Sequence, residues 1–251
     1  MTPKTALLAS LLGFAPLAWA NDTSLGLDSG NIVFKQSDGI IMRSEDLYIS
    51  PETVRVKYEF HNGTAADIKT LVGFPIPPIP LDDEGDINYN PRSPNPLDFS
   101  TRVDGKTVPV KMRRVEKNGK VEYTYLWEQT FPAGKSLTVE HRYRAHPTVS
   151  FYVDSPDVIK AYCLEPALAA RLKARDAMPT THVVRYILKT GANWKGPIGQ
   201  FRLVLDKLNS KTLVSLCGDR IRKISPVRFE MRKTDFKPDK DLAILFLTEA
   251  W

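Results

Sequence analysis

The residues best suited to chemistry are an acidic group, two cysteines, four histidines and a few clustered aromatics. Asp82, Asp83, Glu84 and Asp86 stand with Asn88 and Asn90 in one short stretch, and the alternating oxygens at 82, 84, 86, 88 and 90 suggest calcium. An EF-hand needs its glycine after the alternating Asp or Asn ligands and a glutamate six residues beyond it. Here Gly85 lies inside the acidic group and Pro91 occupies the glutamate's position. The stretch therefore reads as a solvated acidic loop, a candidate for binding, and no metal or other cofactor is assigned.

His61, His141, His146 and His182 are scattered, and the odd spacing of His141 and His146 points them to opposite faces of a regular strand. No H-E-x-x-H, G-x-S-x-G, P-loop or dinucleotide fingerprint occurs. Tyr123, Tyr125 and Trp127 share one face of a strand. Exposed, that row would make a stacking platform for a sugar or peptide; burial is favoured, because Glu122, Thr124 and Glu128 take the other face. Trp194 sits among Asn193, Gly196, Pro197 and Gly199, a loop composition, so it is either a binding contact or a plug over the core.

The elements that must position these groups are mostly strands. Val54, Val56, Tyr58 and Phe60 alternate with charged residues, as do Leu137, Val139, His141 and Tyr143, and the pattern recurs at Val227, Phe229 and Met231. Ser37-Asp38-Gly39, His61-Asn62-Gly63, Asp104-Gly105, Asn118-Gly119 and Ala133-Gly134 supply turns. The expected fold is mainly β, an antiparallel sandwich over residues 21–150 followed by a smaller α+β portion over 151–251. Its one helix runs from Glu165-Pro166 to Met178-Pro179, with Leu164, Leu168 and Leu172 as its apolar stripe. Leu242 to Leu247 is apolar on both faces and should be a central strand. The proline-rich segment Pro75 to Asp98 should form a long ordered excursion.

Lys4, the apolar run Ala6 to Leu17 and Ala18-Trp19-Ala20 form a secretory signal peptide over residues 1–20, too short to span a membrane. Cleavage after Ala20 would deliver the chain to the periplasm or the medium as a protein that does not span the membrane. Cys163 and Cys217 lie in the exported part, and an oxidising compartment favours their pairing. Closing a loop of that length contributes about 4 kcal/mol in the chain-entropy model. The 42% apolar content is that of a globular chain, and the +6 net charge is spread without a nucleic-acid-binding signature.

Several stretches resemble a bacterial family, domain of unknown function 4424. They are Asn21-Asp22-Thr23-Ser24, Glu45-Asp46-Leu47-Tyr48-Ile49-Ser50, Gly73-Phe74-Pro75-Ile76-Pro77, Asn193-Trp194-Lys195-Gly196-Pro197-Ile198-Gly199, Cys217-Gly218, Asp235-Phe236-Lys237-Pro238 and Asp241-Leu242. The resemblance implies a bacterial, exported, β-rich protein and carries over no catalytic residue. The leading reading is a non-catalytic binding protein of the cell envelope, taking an envelope ligand or a protein partner and no nucleic acid. A secreted hydrolase of envelope polymers or host substrates is the alternative, with a structural or assembly subunit as a third. Expressed in an exporting host, the protein should be recovered with Asn21 as its first residue. Intact mass spectrometry checks this, and a species retaining residues 1–20 would refute the processing site.

Overall fold

The computed structural model describes residues 23–28, 31–35, 37–81, 89–150, 155–173 and 180–248. Its strands in chain order are β1 (Thr23–Asp28), β2 (Asn31–Lys35), β3 (Ile40–Ile49), β4 (Thr53–Asn62), β5 (Ile68–Pro75), β6 (Ile79–Pro80), β7 (Ser100–Val103), β8 (Lys106–Val108) and β9 (Lys111–Lys117). They continue with β10 (Lys120–Phe131), β11 (Ser136–Arg144), β12 (Thr148–Ser150), β13 (Thr180–Tyr186), β14 (Ile198–Asp206), β15 (Leu213–Ser215), β16 (Arg222–Lys223), β17 (Arg228–Phe236) and β18 (Leu242–Thr248). Two short helices, α1 (Pro156–Ala161) and α2 (Pro166–Lys173), and a 3-10 turn over Lys189–Asn193 complete the described elements. The fold is mainly β.

Three sheets form. A six-stranded sheet has the order β2-β1-β5-β10-β6 with β9 also on β10; an eight-stranded sheet has the order β16-β17-β14-β3-β4-β11-β7-β8; a four-stranded sheet has the order β12-β13-β18-β15. Inward-facing residues of the first two sheets share one core, where Phe74 and Trp127 of one meet His141 of the other at ring separations of 4.8 and 5.2 Å. The sandwich alternation is clear in β10, where Val121, Tyr123, Tyr125, Trp127 and Phe131 are all buried.

Not every pairing is antiparallel. β14 joins β3 in parallel, Arg202 opposite Asp46 and Val204 opposite Tyr48, so strands from beyond residue 150 extend the sheet begun by β3 and β4. Gly199 permits this approach: a Cβ there would sit 2.7 Å from the Arg43 carbonyl oxygen. β3 also carries a bulge between Met42 and Ser44, which switches its inward side from Ile40 and Met42 to Glu45, Leu47 and Ile49.

β18 is central, paired with β13 on one edge and β15 on the other. Its two apolar faces have two destinations. Leu242, Ile244 and Phe246 enter the main core, whereas Leu245 and Leu247 join Val183, Tyr162, Leu164 and Leu172 in a second cluster beneath the helices. The helical region differs from the single helix expected. α1 precedes α2, with Ser155 as its cap, the hydroxyl accepting from the Val158 amide at 3.3 Å, and Pro156 in its first turn. Within the expected span, α2 covers 166–173, and 174–179 lie outside the described residues. Cys163, between the helices, is disulfide-bonded to Cys217, just after β15.

The far edge of the eight-stranded sheet is fastened by Glu230, which is 3% exposed and accepts from Arg202 and Arg232 at 2.8 and 2.9 Å and from Arg222. Hydrogen bonds from Arg232, Arg202 and Arg222 outweigh burial and hold its carboxyl down at about pKa 2. A carboxylate depressed on folding stabilises above its unfolded pKa, and the contribution is lost as pH falls through the folded value. The difference in Tm between the native protein and Glu230→Gln should therefore be full at pH 6 and shrink between about pH 4.5 and 2, and a pH-independent difference in thermal scans would refute it. Trp194→Ala should cost about 3–5 kcal/mol in denaturant unfolding, because its ring packs on Phe60 and Phe131 at 4.7 and 5.9 Å.

Candidate functional site

Trp194 is 1% exposed. Its loop is stitched to the start of β3, with the Lys195 amide donating to the Ile40 carbonyl and the Ser37 amide to the Asn193 carbonyl, both at 2.8 Å. Of the two expectations for this side chain, plug or contact, the structure places it as the plug. Tyr123, Tyr125 and Trp127 are likewise inside the core, with no face open for stacking a ligand. The hydroxyls of the two tyrosines have another task. The Tyr123 hydroxyl bonds Tyr89 at 2.7 Å and the Pro91 carbonyl at 3.1 Å, and Tyr125 donates to Asn95 at 3.2 Å while Phe99 stacks on its ring at 4.0 Å. Tyr123 and Tyr125 thus hold down the second half of the proline-rich segment. Asp82, Asp83, Glu84 and Asp86 lie outside the described residues.

The histidines are apart, and among the described residues no three His, Cys, Asp or Glu side chains are grouped to hold a metal. His141 meets the Thr101 hydroxyl at 3.0 Å, both nearly fully buried, so this pair is closed to substrate. His61 meets the Ser136 hydroxyl at 3.2 Å on the open sheet face. Arg43 also donates to that oxygen, at 3.1 Å, engaging the lone pair a nucleophile would use.

The described residues form several concavities. One is a narrow recess of about 30 Å³ beneath Ile76 to Pro80, bounded by Tyr143, Val184 and Arg185. That is room for about one water molecule. Others are open: a hollow of about 710 Å³ bounded by Glu52, Asp98 and Arg144, one of about 530 Å³ beside Cys217, Lys233 and Asp241, and one of about 560 Å³ set wholly on strands on the outer face of the eight-stranded sheet, where Arg and Lys outnumber Asp and Glu six to two.

Strand register builds the hollow. One row across the sheet runs Arg202, Asp46, Lys57, Glu140, Arg102 on β14, β3, β4, β11 and β7. Signs alternate along it, and Arg202–Asp46 and Lys57–Glu140 close as ion pairs at 3.1 and 2.9 Å. The neighbouring row runs Val204, Tyr48, Arg55, Arg142, Ser100 on the same strands. It has a different character. Arg55 lies 4.0 Å over the Tyr48 ring, the Tyr48 hydroxyl donates to Asp206 at 3.1 Å, and Arg228 donates to the same carboxylate at 2.7 Å. Burial and the Asp206 charge push the Tyr48 phenol up, keeping it the donor. Burial works against the Asp206 carboxylate, but hydrogen bonds from Arg228, the Leu208 amide and Tyr48 outweigh it and hold the carboxyl below its usual range.

None of the hollow's charged residues was among the sequence candidates. Period-two alternation marked Arg55 and Lys57 as outward-facing, but only the register shows which charges end up as neighbours. The disulfide is the part of the candidate set that the structure brings together as expected.

A crystal structure of a Legionella pneumophila protein, provisionally described as a nutrient binding protein, is 20% identical to this chain with a TM-score of 0.62, covering 91% of this chain and 70% of that one. At that identity the likeness is one of fold. An M1 zinc metallopeptidase from Deinococcus radiodurans aligns at 10% identity and TM-score 0.31 over 85% of this chain and 43% of its own, and yeast LTA4 hydrolase in complex with bestatin at 8% and 0.40 over 87% and 31%. The chain spans less than half the length of these two enzymes. Comparison with curated proteins finds no match. A family model described as domain of unknown function (DUF4424) matches residues 20–120 and 113–245, nearly the whole chain, and the chain belongs to that family.

Proposed function

We propose that this protein is a binding protein of the bacterial cell envelope, exported by the segment before Asn21, and that its binding surface is the outer hollow of the eight-stranded sheet. The observation that carries this is the contrast between the candidates. The aromatic row and Trp194 are consumed by the core, the recess under the proline-rich segment is the size of a water molecule, the hollows beside Glu52 and beside Cys217 are walled in large part by connecting segments, and the outer hollow is open, polar and set wholly on strands. Clefts with a few fixed polar groups are the usual places for ligands. The fold shared with a protein provisionally described as a nutrient binding protein supports the same reading.

No helix among the described residues is long and apolar enough to cross a membrane. The described surface that would meet a ligand belongs to β3, β4, β7, β11, β14 and β17, so recognition here needs little reordering of the chain on binding.

The test is a thermal-shift panel of glycans, peptidoglycan fragments, lipids, calcium and zinc, run on the native protein and on Ser100→Trp, which covers the hollow from its β7 side without changing charge. A ligand at a hundredfold its Kd adds about 2.7 kcal/mol, or about 5 to 10 °C at this size. The expected result is a shift in the native protein that disappears in Ser100→Trp while the unliganded Tm stays within about 2 °C. A shift of equal size in both proteins would remove the hollow as the binding surface. Silence across the panel would transfer the role to a protein partner.

A further inference from the structure

The second row across the hollow breaks the rule that the first obeys. Directly opposed residues on antiparallel strands have Cβ atoms about 5 Å apart, and like charges in that position destabilise the sheet. Arg55 on β4 and Arg142 on β11 are such a pair. Every other opposed charged pair between β3, β4, β11 and β7 on this face is of opposite sign: Asp46 with Lys57, Lys57 with Glu140, Glu140 with Arg102. Among the described residues, neither Arg55 nor Arg142 has a carboxylate within ion-pair distance, whereas Arg202 and Arg228 are neutralised by Asp46, Glu230 and Asp206.

Nor is Arg55 a loose surface side chain. Its guanidinium is seated on the Tyr48 ring, which is fixed in turn through Asp206 to Arg228. Stacking immobilises the planar group while leaving its N–H edge able to donate, which lowers the ordering cost of binding an anion. Ser100 stands opposite Arg142 on the next strand, its hydroxyl donating to the Arg142 carbonyl at 3.3 Å, and Arg102 follows two residues on with the same outward side. Two adjacent guanidiniums and a third arginine suit a tetrahedral dianion with several acceptor oxygens better than a planar monoanion.

We propose that Arg55 and Arg142, flanked by Ser100 and Arg102, form an oxyanion site that takes the phosphate group of the ligand bound in the hollow. This rests on the hollow being the binding surface and adds the chemical class of what binds there. The like-charge pair is then a feature of binding: the sheet tolerates the repulsion when empty, and the phosphate relieves it.

Isothermal titration of the full exported chain at low ionic strength with inorganic phosphate, with acetate as the planar monoanion, and with phosphatidylglycerol vesicles as the lipid-borne phosphate tests this. Phosphate should bind more tightly than acetate, weaken with added salt, and weaken about tenfold or more in Arg55→Gln and again in Arg142→Gln. A response to vesicles but not to free phosphate would assign the source as a lipid headgroup, and the reverse a soluble phosphate; both support the site. Arg142→Gln should also leave the unliganded Tm unchanged or raised, since it removes a repulsion. Unchanged affinity in the double variant for whichever phosphate source binds, or no detectable binding of either free phosphate or phosphatidylglycerol vesicles by the native protein, would overturn the proposal. If some neutral ligand were still lost in Ser100→Trp, the hollow would stand as the binding surface and the oxyanion assignment alone would fall.

Discussion

Parallel strands cannot be joined by a tight turn, so the register that sets Arg202 beside Asp46 and Val204 beside Tyr48 demands a long connection between β3 and β14. Nearly everything else in the fold lies within that connection. Between the end of β3 at Ile49 and the start of β14 at Ile198 run β4 to β13 and both helices, including most of the six-stranded sheet that closes the other side of the core. The crossover is therefore the sandwich itself. Once β14 has returned, β17 adds to its free edge and β18 docks beside β13, so the last fifth of the chain has its positions set by one pairing.

The same pairing explains why a hydrophobic core contains so much polarity. The bulge in β3 that accompanies the approach of Gly199 turns Glu45 inward, and a buried carboxylate needs partners. The Tyr186 hydroxyl from β13 supplies one, at 3.2 Å, and is itself 2.9 Å from the Tyr58 hydroxyl of β4. A network linking the β3–β4 pair to β13, far along the chain, fixes their mutual register more sharply than aliphatic contacts do. Nearby, the buried Tyr143 hydroxyl and Trp127 indole nitrogen have no hydrogen-bond partner among the described residues.

How much of this was legible in the sequence follows from the range of each interaction. Alternation along β4, β10 and β11 is a local property, and Tyr58, Tyr125 and Val139 face inward as it requires. The two-faced apolar run of β18 gave away its central place for the same reason, and two cysteines in one chain left a single internal pairing. The cap of α1 was there to be read in Ser155-Pro156, but six residues are too few for a periodic signal. What is not local was not legible. Nothing in the types of Asp46 and Arg202 announces that they are neighbours 156 positions apart. Trp194 looked like a loop residue because it is one; the amide bonds of Ser37 and Lys195 turn that loop into a lid of the core.

The outer hollow illustrates the same limit from the side of function. On a strand, sequence fixes which side chains face out, but a binding surface needs rows, and rows exist only perpendicular to the chain. Two rows of similar composition come out with opposite properties here. Along Arg202, Asp46, Lys57 and Glu140 the signs alternate, neighbours close as ion pairs, and the result is a solvated ladder of modest energetic worth. One pleat away, Tyr48, Arg55, Arg142 and Ser100 leave two guanidiniums side by side with their charge unspent, one of them clamped to an aromatic ring. A basic net charge distributed evenly along the chain thus becomes a local field only where the register places like beside like, on strands too rigid to let the two arginines separate.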